Sequence, residues 1–168
     1  MRCLLGEADG SLEQLEAISW VLRQSGFFPG EWWTVYLAQA YLRHGRPADA
    51  CDTLLGMRAA YPNVRNHLHA TFDALVLADA CVALGGAENL TGAEAEYREC
   101  LRMAEPAGIH KWTALCDFGL DRSRAAQGRI DEAREHFTKA LERLEHHGIL
   151  LEPERVRAEL AKLPAAHW

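Results

Sequence analysis

Apolar residues recur every three or four positions through most of this chain, and glycine or proline interrupts the recurrence at regular intervals. That period is the mark of amphipathic helices packed on a core. Residues 11–25 align Leu12, Leu15, Ile18 and Leu22, and Ser11 with Gln14 has the form of a capping box. Residues 31–44 are apolar nearly all round, from Trp32 and Trp33 to Tyr41 and Leu42, so this helix should be covered on several sides. Further helices are expected over 47–60 and 66–84, and over 91–104, where Thr91 and Glu94 form a second capping box. The last three are expected over 109–127, 131–147 and 153–163. Gly26, Gly45, Gly85, Gly108, Gly128 and Gly148 close these segments, as glycine does at helix ends. Pro29, Pro62, Pro106 and Pro164 fall where a helix must stop, and Pro47 and Pro153 suit a first turn. No segment alternates with a period of two, so the chain is read as one all-α domain of eight helices.

The chain also repeats itself. Ala38, Tyr41, Gly45, Ala50 and Pro62 mark one unit, and Gly128, Ala133, Phe137 and Ala140 mark another. Ala50, Ala93 and Ala133 follow one another at 43 and 40 residues. A recurring interval of this size points to stacked helix pairs. The pattern resembles the tetratricopeptide repeat, in the longer variety of roughly 40 residues found in bacterial regulators. The resemblance implies a right-handed solenoid of antiparallel helix pairs with flanking helices as caps. Its parts would be an N-terminal helix at 11–26, repeats at 31–62, 66–106 and 109–147, and a capping helix at 153–163. In the middle unit, 86–90 would be an inserted loop. In the third, a one-residue insertion would bring Phe118 and Gly119 to the positions of close helix approach. The alanines would let paired helices come together, and each unit would bury its apolar face on its neighbours.

The resemblance further implies a concave surface formed by the first helix of each pair. Its lining would be Trp32, Val35, Tyr36, Gln39 and Arg43 from the first unit, Phe72, Val76 and Asp79 from the second, and Phe118 and Arg122 from the third. Trp32 should face this groove and Trp33 should pack between helices. Such a lining suits a peptide or an amphipathic helix, unless helix 11–25 or a second copy of the chain fills it. The expected role is therefore a non-catalytic protein-interaction module. The alternative is a regulatory or sensory domain related to the repeat tails of bacterial transcriptional activators and nucleotide cyclases.

Charge and candidate chemistry narrow this picture. The formal net charge of −6 argues against a nucleic-acid surface, which needs a clustered basic face. No apolar run reaches bilayer length and the amino terminus lacks the pattern of a signal peptide, so a cytoplasmic protein is expected. Five cysteines without a Cys-x-x-Cys spacing read as reduced, mostly buried thiols. His67 with His69 and the adjacent His146 and His147 do not share a helix face, so no metal is expected. Neither a phosphate-binding glycine loop nor a nucleophile with its base is visible, and no cofactor is expected.

Overall fold

A computed structural model describes residues 11–25, 30–62, 67–146, 148 and 152–163. These residues form eight helices, with no strand among them. They are α1 (Ser11–Ser25), α2 (Gly30–Arg43), α3 (Pro47–Ala60) and α4 (His67–Leu84), then α5 (Ala87–Ala104), α6 (His110–Ala126), α7 (Ile130–His146) and α8 (Glu152–Lys162). Each helix packs on its neighbours in the chain, and α2, α4 and α6 also pack side by side. No described helix is long and apolar enough to cross a membrane.

Glycine sets the turns. Gly45, Gly85 and Gly128 have φ of 70°, 70° and 82°, a left-handed conformation that side chains resist. Pro47 opens α3 in the first turn, where its missing amide hydrogen is not needed. The expected side-chain cap at Ser11 lies outside the described side chains. Gly26, Pro29 and Pro164 lie outside the described residues.

The stretch after Gly85 differs from the loop expected there. Residues 87–90 are not a loop but the first turn of α5, and Leu90 is buried there. Thr91 therefore lies inside the helix, where its hydroxyl donates to the Ala87 carbonyl at 2.8 Å rather than capping. Three extra residues separate the turn glycine from the buried alanine in this unit, Gly85 to Ala93 against Gly45 to Ala50. Three residues are nearly one helical turn. They extend a helix more readily than they form a loop, because Leu90 gains burial by it.

The core has two parts. The larger runs from α1 to α6 around Leu37, Leu54 and Tyr97, and the smaller joins α6, α7 and α8 through Phe118, Phe137, Leu144 and Val156. Ala50, Ala93 and Ala133 are fully buried, as close helix packing requires. The central helix, α4, touches α2, α3, α5 and α6. Its whole stretch 71–78 is buried, including Asp73, which takes a hydrogen bond from Arg58 Nε at 2.8 Å. Arg58 also grips Glu96 with both terminal nitrogens at 2.6 and 2.8 Å. Burial disfavours the Arg58 charge, but Glu96 and Asp73 outweigh it and raise its pKa.

Two cysteines correct the expectation of free thiols. Cys100 and Cys116 form a disulfide between α5 and α6, with Cα atoms 6.7 Å apart. They stand at similar distances on either side of the turn between the two helices, so antiparallel packing brings them face to face. Cys51 and Cys81 are free thiols, and Cys3 lies outside the described residues.

Candidate functional site

The side-by-side row of α2, α4 and α6 carries the candidate site. One end of its face is aromatic. Tyr36 meets Phe72 edge-on with ring centres 5.7 Å apart. Phe72 stacks on Trp112, centres 5.5 Å apart and planes 5° from parallel. The ladder thus crosses all three helices, and Tyr36 is 37% exposed at its end. Aromatic pairs in such geometries contribute about 0.5–1.5 kcal/mol beyond the area they bury.

Further along the same face the lining becomes polar. Gln39, Leu42, Arg43, Asp79, Ala83 and Arg122 surround an open pocket of about 260 Å³. Asp79 Oδ1 accepts from the Tyr97 hydroxyl at 2.6 Å and from Arg122 at 3.2 Å. The Arg122 guanidinium also lies 5.8 Å from the centre of the Phe118 ring. Gln39, Asp79 and Arg122 each stand six residues before a turn glycine, Gly45, Gly85 and Gly128. Three helices therefore present equivalent positions to one pocket.

No family model, curated protein or solved structure matches this chain.

The predicted lining residues divide into two groups. Tyr36 and Phe72 meet in the ladder, and Gln39, Arg43, Asp79 and Arg122 meet in the pocket. Val35, Val76 and Phe118 are buried in the core, and so is Phe72; Phe118 packs on Phe137 at 5.4 Å between ring centres. The reason is that α2, α4 and α6 each have neighbours on more than one side, so part of each presumed groove face turns inward. Trp33 also differs from expectation. Trp32 is half-buried against His69, ring centres 5.2 Å apart, whereas Trp33 is 38% exposed.

No inserted residue is needed before Gly128. Asp121, seven residues before Gly128, is buried just as Ala38 and Ala78 are seven residues before Gly45 and Gly85. Arg124 donates to Asp121 at 2.6 Å. Burial pushes the Asp121 carboxyl up to about 7, with Arg124 acting against the rise. Gly119 is still a point of close approach, but to the Tyr97 ring of α5. Trp112 escaped the sequence reading because it precedes the repeat window counted from Gly128. Its signal was the face it shares with Leu115 and Arg122, three and ten residues on. Among the described residues, no group of three His, Cys, Asp or Glu side chains could hold a metal ion.

Proposed function

We propose that this chain is a non-catalytic interaction module, a right-handed array of tetratricopeptide-like helix pairs capped by α1 and α8. It binds a peptide or amphipathic helix along the face of α2, α4 and α6. The observation that carries this reading is that α2, α4 and α6 together present a ladder exposed at Tyr36 and, further along the same helices, the open pocket of Gln39, Arg43, Asp79 and Arg122. An aromatic edge beside convergent polar groups suits a segment with one apolar and one polar side. The matched offsets of Gln39, Asp79 and Arg122 from their turn glycines, and the buried alanines of α3, α5 and α7, support the repeat reading.

The test is selection from a displayed random-peptide library against the purified chain, followed by affinity measurement on Tyr36→Ala and Arg43→Ala variants. Tyr36 and Arg43 are exposed, so both variants should keep the fold and lose at least tenfold in affinity. Selected peptides that bind both variants as well as the parent would overturn the reading. A second reading, a regulatory domain that senses a small ligand, is favoured by the polar pocket alone. It predicts ligand-dependent stabilisation that Arg43→Ala and Gln39→Ala abolish.

A further inference from the structure

Two seams join one helix pair to the next, α3 against α4 and α5 against α6. The disulfide Cys100–Cys116 crosses the second seam. The first seam also holds one cysteine from each side, Cys51 on α3 and Cys81 on α4, and both are reduced. Each thiol lies close enough to the other to influence its ionisation. Cys51 is buried in the main core and Cys81 packs against that core, half-buried. No other cysteine is described, so each of the two seams carries one pair.

We propose that Cys51 and Cys81 are a second cross-link site, a dithiol that closes to a disulfide and ties the first helix pair to the second as Cys100–Cys116 ties the second to the third. The oxidant is a low-molecular-weight disulfide such as oxidised glutathione. Cys81 reacts first, because it is the more accessible of the two. Its thiolate attacks one glutathione sulfur, the glutathione S–S bond breaks, and one glutathione leaves as a thiolate that takes up a proton. The Cys51 thiolate then attacks the Cys81 sulfur of the mixed disulfide and releases the second glutathione. Two protein S–H bonds become one S–S bond, and the oxidant is reduced by two electrons to two thiols. Burial raises the pKa of both thiols, so closure is slow and the product is a durable staple rather than a fast relay.

The experiment treats the purified, folded chain with oxidised glutathione and maps unreduced proteolytic peptides by mass spectrometry. The expected product is a linked peptide pair containing Cys51 and Cys81, a chain lighter by two hydrogens, and a raised melting temperature. Cys51→Ala should stop at a glutathione adduct on Cys81, and the parent should pass through that adduct. Three results would overturn the proposal: a stable Cys81 adduct in the parent with Cys51 still a thiol, linkage of either residue to Cys3, or two unreacted thiols under conditions that oxidise the same chain in urea. The peptide map of the parent decides the matter even where Cys51→Ala fails to fold.

Discussion

Gly119→Ala should destabilise this protein, against the usual preference of helices for alanine. Gly119 lies in the interior of α6, where alanine is normally favoured by about 1 kcal/mol. A Cβ atom there would overlap Cζ and Cε1 of Tyr97 and lie 2.5 Å from its hydroxyl oxygen. The ring has little freedom to retreat, because Tyr97 is fully buried and its hydroxyl donates to Asp79 at 2.6 Å. Overpacking of this kind costs about 1–3 kcal/mol. Loss of the hydrogen bond to a carboxylate adds about 1.5–3 kcal/mol. Set against the helix preference, the net loss is roughly 1.5–5 kcal/mol. For a chain of this size each kcal/mol moves the melting temperature by about 2–4 °C. Gly56→Ala and Gly92→Ala are the internal controls. Both glycines are helical and have nothing within 4 Å of the added atom, so both variants should gain up to about 1 kcal/mol. Thermal and urea unfolding, followed by far-ultraviolet circular dichroism, measures all three. In a Tyr97→Leu background the penalty of Gly119→Ala should largely vanish, a coupling that a double-mutant cycle reads directly. A Gly119→Ala protein as stable as the Gly92→Ala control would refute the packing argument.

Asp121 makes stability depend on pH. Its carboxyl titrates near 7 in the folded chain against 3.8 as the ordinary value, so the folded state holds the proton longer than the unfolded state. That contribution is fully present below about pH 4 and is lost as pH rises to about 7. Asp121→Asn should remove this slope and raise stability at neutral pH by up to about 4 kcal/mol, as urea unfolding across pH will show; an unchanged slope would argue against a buried, proton-retaining Asp121. Ala50→Leu and Ala133→Leu place a larger side chain at fully buried contacts and should each cost about 1–3 kcal/mol; neutral outcomes at both sites in thermal unfolding would count against the close approach of paired helices there.

The helices were legible because their apolar period and their glycine turns agree. Gly45, Gly85 and Gly128 can be recognised before any coordinate, and each has the positive φ that glycine favours. The start of α5 was not legible, since the Gly85-Gly86 pair and the Thr91–Glu94 spacing imitate a loop and a cap. What decided it was burial of Leu90, a tertiary effect absent from local pattern. The polar half of the site could be read from equal offsets to the turns. The inward turn of Val35, Val76 and Phe118 could not, because it depends on how many neighbours each helix has. The Cys100–Cys116 pairing has no sequence motif. Only the placement of both residues about equally far from one turn hints at it.

One oxygen atom, Oδ1 of Asp79, serves two masters. It receives the hydroxyl of Tyr97, whose ring lies against Gly119 inside the protein, and the guanidinium of Arg122, which lines the pocket outside. The shape of the pocket at this point is thus an outward reading of interior packing. A change of one methyl group at Gly119, on the inner side of this relay, would retune it from within.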